Sequence, residues 1–263
     1  MRCIVLASGS KGNCVYVEGS GDALLIDAGL SRKEILSRLG TAGGNPDLIS
    51  GILVTHEHID HIRGADTLAR HLGVPVYGTG GTLLEFHKKG RTAKGPVQTC
   101  SCEYHEKYSV GNFIIEPFET SHDAREPCGF SIRECDLEIA CCTDTGVITA
   151  PVMDMLNRCD AVILESNHCP DMLRDGPYPE MLKRRIRSKK GHLSNNAAAD
   201  CLRVLSSHVH EVVLAHLSEV NNTPERALKA AKEGTGLYIS DVRITVASQG
   251  PGAENGWPAR IDL

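Results

Sequence analysis

Four side chains within six residues, His56, His58, Asp60 and His61, can each bind a metal ion. In an extended turn alternate side chains point the same way, so His56 and His58 face one point in space. Asp60 and His61, at the start of a helix, face a neighbouring point. Two nitrogens in one place, with a carboxylate and a nitrogen beside them, suit two adjacent cations rather than one. Such a pair supports hydrolysis: ions about 3.5–4 Å apart lower the pKa of a water and stabilise both oxygens of a displacement at phosphorus. Imidazole and carboxylate donors accept zinc, manganese or iron alike.

The elements around this run must hold it still. Leu48 to Val54 is an apolar stretch that reads as a buried strand feeding into the motif, and Ile62, Ala65, Leu68, Ala69 and Leu72 recur at helical spacing after it. Upstream, Cys3 to Ala7, Cys14 to Glu18 and Ala23 to Asp27 read as three short strands of an antiparallel meander. Further apolar runs end on polar residues: Phe113 to Phe118 before His122, Leu137 to Cys142 before Asp144, Asp160 to Glu165 before His168, and Glu211 to Ala215 before His216. Val242 to Ala247 reads as the final strand, and 249–263 as a loose tail with no chemistry. Cys100, Cys102 and His105 lack the second cysteine or histidine pair that structural zinc takes, and read as incidental.

Length and composition bound the answer. A chain of 263 residues with 41% hydrophobic content can bury two packed sheets as a single domain, 1–263. The net charge of −5 gives no global basic field. Eleven scattered cysteines, no signal peptide and no stretch near the about 20 apolar residues of a membrane helix fit a reduced, cytoplasmic protein away from membranes. Oligomeric state is not legible.

The spacing His-x-His-x-Asp-His resembles the metallo-β-lactamase superfamily of dinuclear metallohydrolases. That resemblance implies an α/β fold, a four-layer αββα sandwich with metals at the sheet edge. It implies that His56, His58 and His122 hold one ion, that Asp60, His61 and His216 hold the other, and that Asp144 bridges them. The attacking group would be a hydroxide shared by the ions, with Asp60 orienting it as well as binding metal. Asp27 would lie beneath the metals and fix the ligand histidines by hydrogen bonds, with His168 in a similar supporting or pocket position. Taken without the resemblance, Asp27 and Asp144 are ordinary turn formers at strand ends.

Substrate is a separate question, because thiolesterases, lactonases and nucleases share this core. An aspartate at position 144 is common to phosphodiesterases and thiolesterases, whereas many β-lactamases place a cysteine there. Leu6 to Asn13, Glu165 to His168, Gly191-His192-Leu193-Ser194-Asn195 and His216-Leu217-Ser218 with Asn221-Asn222 are similar to the YycJ (WalJ) group. That resemblance implies a 5′-to-3′ exonuclease on single-stranded DNA with a repair role. Small-molecule or cyclic-nucleotide phosphodiesterase, glyoxalase II-like thiolesterase and metal-dependent binding module stand as alternatives.

The one concentrated positive charge, including Lys183, Arg184, Arg185 and Arg187, precedes His192 and the helix start at Ser194 and Asn195. Two readings stand: a solvated helix face, or contacts to the DNA phosphate backbone beside a helix N-terminus. Ser8 to Asn13 is either a hairpin turn or a loop presenting Asn13 to substrate. His192 is either a turn-capping histidine or, by analogy with related nucleases, a group that contacts the scissile phosphate or protonates the departing oxygen. No separate nucleic-acid clamping insertion is visible.

Overall fold

Strands that read as unbroken apolar runs sort their side chains by parity. In β1 (Arg2–Ala7), Cys3 and Val5 enter one hydrophobic cluster while Ile4 and Leu6 enter another. The same division runs through β2 (Cys14–Glu18) and β3 (Ala23–Ile26), which complete an antiparallel meander. β4 (Ile49–Leu53), β5 (Val76–Thr79) and β6 (Thr99–Cys102) then add in parallel to β3. On the outer face of this sheet lie α1 (Arg32–Thr41), the four-residue α2 (Ile59–Ile62), α3 (Ala65–Leu72) and α4 (Gly80–Lys89). Ile35 and Leu39 of α1, Leu68 of α3, and Leu83 and Phe86 of α4 pack on Ile4, Leu6 and Leu25.

A second sheet follows. β7 (Tyr108–Val110), β8 (Phe113–Glu119), β9 (Cys128–Glu134) and β10 (Leu137–Cys142) are antiparallel; β11 (Ala161–Glu165), β12 (Glu211–Ala215) and β13 (Arg243–Val246) continue in parallel from β10. Its inward residues, such as Ile139, Ile163 and Val213, meet Val5, Leu24 and Ile26 of the first sheet. Its outward residues, such as Val162, Leu164 and Leu214, are covered by α5 (Ala150–Leu156), α8 (Asn195–Val204) and α9 (Pro224–Thr235). Two shorter helices, α6 (Pro170–Asp175) and α7 (Glu180–Ile186), lie between β11 and α8 in the chain. Three apolar layers separate four layers of structure, the αββα sandwich that the motif implied. Strands apolar on both faces lose their period-two signature, which is why they read only as runs.

The computed structural model describes residues 1–89, 95–205, 207–235, 242–251 and 257–263. Within them three expectations change. The tail is not loose where it is described: β14 (Ala259–Asp262) pairs antiparallel with β1, and Ala259 and Ile261 enter the inter-sheet core. Leu263 N donates to Met1 O at 3.0 Å, closing the edge. Only two apolar residues alternate in this strand, too few to announce it; 252–256 lie outside the described residues. β6 arises around Cys100 and Cys102, residues that read as incidental, as an edge strand of four residues. Finally, the helix after the metal motif breaks at Gly64. A Cβ there would lie 2.1 Å from Leu30 O, so the chain can pass Leu30 only as glycine, and α2 is left as a separate turn. No helix among the described residues is long and apolar enough to cross a membrane.

Candidate metal centre

Several strands of both sheets, most of them parallel, deliver polar residues from their C-terminal ends to one edge, the position where open parallel sheets place ligand sites. β4 leads to His56 and His58, β8 to His122, β10 to Asp144, β11 to Glu165 and β12 to His216. Asp27, Asp144 and His216 all adopt left-handed backbone, with φ of 60°, 54° and 56°. For side chains with a Cβ this region is sparsely populated and costs about 1–3 kcal/mol. The geometry turns each side chain sharply back from its strand end.

Three nitrogens converge first. His56 Nε2 lies 3.0 Å from His58 Nδ1, which lies 3.3 Å from His122 Nε2. Nitrogens bound tetrahedrally to zinc at about 2.0–2.1 Å are themselves about 3.3 Å apart. Beside them is a second group, Asp60, His61 and His216, with Asp60 Oδ2 3.6 Å from His61 Nε2 and 3.8 Å from His216 Nε2. Asp144 stands between the two: Oδ1 is 3.7 Å from His122 Nε2, and Oδ2 is 3.3 Å from His61 Nε2. Asp144 Oδ2 and His216 Nε2 are buried and make no well-formed hydrogen bond among the described residues. Orphaned polar atoms of this kind are expensive unless a cation takes them, so the residues present fit divalent metal.

Supporting groups fix each ring. Asp27 Oδ2 accepts from His61 Nδ1 at 2.7 Å, and its carboxylate also receives Thr55 N at 2.9 Å. Thr55 Oγ1 lies 3.1 Å from His56 Nδ1. Gly191 O accepts from His122 Nδ1 at 3.0 Å, leaving Nε2 for the cluster. The α2 backbone is held by neighbours: Ala28 N donates to His61 O, and Asn13 N to Asp60 O, both at 2.8 Å. A Cβ on Gly29 would lie 1.6 Å from Asp60 O, which makes glycine obligatory at that crossing.

One carboxylate at the heart of the site has no role in the sequence reading. Glu165 is 0% exposed at the end of β11. Its Oε1 lies 2.7 Å from His192 Nδ1 and 3.2 Å from His216 Nδ1, while Oε2 accepts from Thr145 N and Leu193 N. A charged residue closing a wholly apolar run is the signal that could have found it, since an unpaired carboxylate cannot remain there. Asn167 likewise supports the site, donating to His216 O at 2.9 Å.

Electrostatics follow from this crowding. Burial holds the His56 imidazole well below its ordinary value, and His61 adds to the effect; burial and His122 lower His58. Burial also pulls on His216, yet Asp144, Asp60 and Glu165 together outweigh it and the ring is raised to about 10. His61 and His192 rise as well, against burial, through Asp27 and Glu165 respectively. Burial works against ionising the carboxylates, but His216 and His61 hold Asp144 well below the usual range, and His192 brings Glu165 to about 2. The carboxylates are therefore ionised, and positive charge must sit among them.

Outside this cluster the expected contacts divide. Asn13 is at the centre: its Oδ1 accepts from Gly9 N, and its Nδ2 lies 3.0 Å from His61 Nε2 and 3.4 Å from Asp60 Oδ2. His192 lines a cleft beside the cluster, with its Nδ1 fixed by Glu165. His168 is buried but makes no hydrogen bond to a cluster residue among the described residues, and burial lowers it to about 4. The supporting position expected for it falls to Asn167 and Glu165.

The basic run also splits, because α7 has an inner face. Lys183 is 9% exposed and its Nζ donates to Arg174 O at 2.6 Å, so it closes the end of α6 and cannot meet a phosphate. Arg184 and Arg187 point outward toward Glu180. Arg185 reaches Asp123 Oδ2 at 2.5 Å, and Asp123 Oδ1 is 3.4 Å from His122 Nε2, so this guanidinium alone of the run joins the rim of the cluster. Ser194 and Asn195 are spent internally. Ser194 Oγ accepts from Ala197 N to cap α8, and Asn195 exchanges side-chain bonds with Asn222 at 2.8 Å. Both residues thus have structural partners, Ser194 at the start of α8 and the buried Asn195 against Asn222.

Residues 23–217 match the family described as "Beta-lactamase superfamily domain". The chain is 37% identical over 225 residues to a protein named exodeoxyribonuclease WalJ from Streptococcus pneumoniae, covering 85% of this chain and 84% of that one. It is 39% identical over 233 residues to exodeoxyribonuclease YycJ of Bacillus anthracis, at the same coverages. Among solved structures, Zn(2+)-bound PqqB from Methylobacterium extorquens superposes with a TM-score of 0.74 at 18% identity, over 100% of both chains. The last likeness concerns the fold; the matched span and the two sequence relatives show that the chain belongs to the β-lactamase superfamily, in its YycJ/WalJ-type group.

Proposed function

We propose that this chain is a dinuclear metal-dependent exodeoxyribonuclease acting on single-stranded DNA. The observation that carries the metal count is Asp144, whose carboxylate stands between the two ligand groups, 3.7 Å from His122 Nε2 in one and 3.3 Å from His61 Nε2 in the other. Charge argues the same way. Asp27, Asp60, Asp144 and Glu165 bring four negative charges to one pocket; two divalent ions bring four positive ones. Asp123, a fifth carboxylate, is already matched by Arg185. Zinc, manganese and iron all suit this donor set.

When bound, such ions supply Lewis acidity at a phosphoryl group and lower the pKa of water. His56, His58 and His122 would hold one, Asp60, His61 and His216 the other, with Asp144 common to both. The remaining steps belong to the chain. Glu165 orients His192 through Nδ1, leaving Nε2 to face the cleft, where it can donate a proton to the departing oxygen. Asn13 holds the Asp60 carboxylate in place, and Arg185 offers a guanidinium to an incoming phosphate that displaces Asp123.

The nucleic-acid reading is supported by the names of the two sequence relatives and by an arginine at the rim. The test is incubation of the protein with single strands labelled at the 5′ or the 3′ end, with manganese, with zinc, and with EDTA. Stepwise loss from the 5′ end, abolished by EDTA, is the expected result. Untouched DNA ends together with rapid turnover of a cyclic phosphodiester would replace this reading with a small-molecule phosphodiesterase.

A further inference from the structure

Beside the cluster is a cleft of about 170 Å³ with a mixed lining. His192, His216 and Asn167 line it from the cluster, and the Arg185–Asp123 pair adds charge. Its aromatic and apolar lining is Tyr178, with Leu182 and Ile186 from α7. Tyr178 sits between Pro177 and Pro179, so the backbone on both sides of it has few conformations to lose. This lining is anchored as well as stiff. Lys183 Nζ closes α6 through Arg174 O, and His192 N donates to Ile186 O at 2.9 Å, tying α7 to the catalytic side of the cleft. The Tyr178 side chain is half-buried, so part of it remains open to solvent.

We infer that this cleft is the seat of the terminal nucleobase of a DNA strand, with Tyr178 as its stacking platform; the inference rests on the nuclease reading and deepens it. A flat heterocycle is what an aromatic face and two aliphatic side chains receive, and every base has such a face. Size decides how many. Pockets for drug-sized ligands start at about 300 Å³; the cleft, at about 170 Å³, suits a single ring system. A strand bound through one seated base beside the reacting phosphate presents its end, which supplies a physical reason for digestion from a terminus.

The test is fluorescence with 2-aminopurine placed at the 5′ end, at the 3′ end, or internally in a single strand carrying phosphorothioate linkages to slow cutting. Metal-loaded protein is titrated in. Stacking on Tyr178 quenches a terminal probe and leaves the internal one bright, and the quenched end identifies the polarity. Tyr178→Phe keeps the quenching; Tyr178→Ala and Tyr178→Leu lose it, the leucine variant preserving the apolar volume in case alanine loosens the segment. In parallel, Tyr178→Ala raises KM for single-stranded DNA about 5- to 150-fold, the span of base–aromatic stacking. An abasic terminal sugar does the same to the wild type, and the two changes combined do no more than either alone. Equal quenching at internal and terminal positions, or undiminished quenching by Tyr178→Leu, overturns the seat while leaving the nuclease intact. Wild-type protein that neither binds nor cuts DNA overturns both.

Discussion

Asp27 and Glu165 touch no substrate in the proposed reaction, yet each fixes a ring that does the work. Asp27 holds His61 from behind, so Asp27→Asn weakens the hold on metal by about 10–100-fold. Competition with a chelator measures that. Glu165 holds His192, so Glu165→Gln lowers kcat by about 10–100-fold. Steady-state rates at saturating metal separate it from the first variant. The two carboxylates also differ in how visible they were. His56 to His61 announce themselves because local spacing converges their side chains on its own. His122, Asp144 and His216 lie far apart in sequence and can be assigned only by resemblance, since nothing local tells a ligand from a turn residue. Glu165 went unassigned although it closes a fully apolar strand, where a lone charge requires company.

Charge runs mislead in the same way at the level of elements. Lys183, Arg184, Arg185 and Arg187 read as one patch, but a helix distributes neighbouring residues around its axis. Lys183 faces the Arg174 carbonyl, Arg184 and Arg187 face Glu180, and Arg185 reaches the rim. Salt titrations of DNA binding should therefore discriminate among them. Arg185→Ala makes the logarithmic salt slope shallower by about 0.7, one phosphate contact on a single strand. Lys183→Ala leaves the slope alone and instead lowers unfolding stability by about 0.5–1.5 kcal/mol, through the lost hydrogen bond to the part-buried Arg174 carbonyl. A helical projection of the sequence would have placed Lys183 with Ile186 on the inner face, but a projection cannot say that the inner face has a carbonyl waiting.

Across the whole molecule, the two sheets are held together by a core to which the last residues contribute. Ala259 and Ile261 lie against the inter-sheet layer, although their segment carries too little periodicity to be read as a strand. Ile261→Ala should cost about 2–5 kcal/mol, and at about 2–4 °C per kcal/mol for a chain of this size the melting temperature falls visibly. An unchanged melt would return the tail to a passive role. The sandwich itself was legible because long apolar runs separated by helical patterns admit few arrangements. The edge strands β6, β7 and β14 were not, because short edge strands bury little and so spell out little, whereas the edge strand β13 was read from its apolar run.

Three non-glycine residues with left-handed backbone stand at the rim where the sheets meet, and two of them, Asp144 and His216, belong to the cluster that could hold metal. Folding alone would relax such a turn with glycine, but at position 144 that would also remove the carboxylate that His216 and His61 face. In metal-free buffer Asp144→Gly should therefore melt at a lower temperature than the parent while hydrolysing nothing. A thermal scan in EDTA that finds the variant more stable would contradict this. The protein, on this view, is kept deliberately tense at its working edge, and the charges paired there are what let that tension persist.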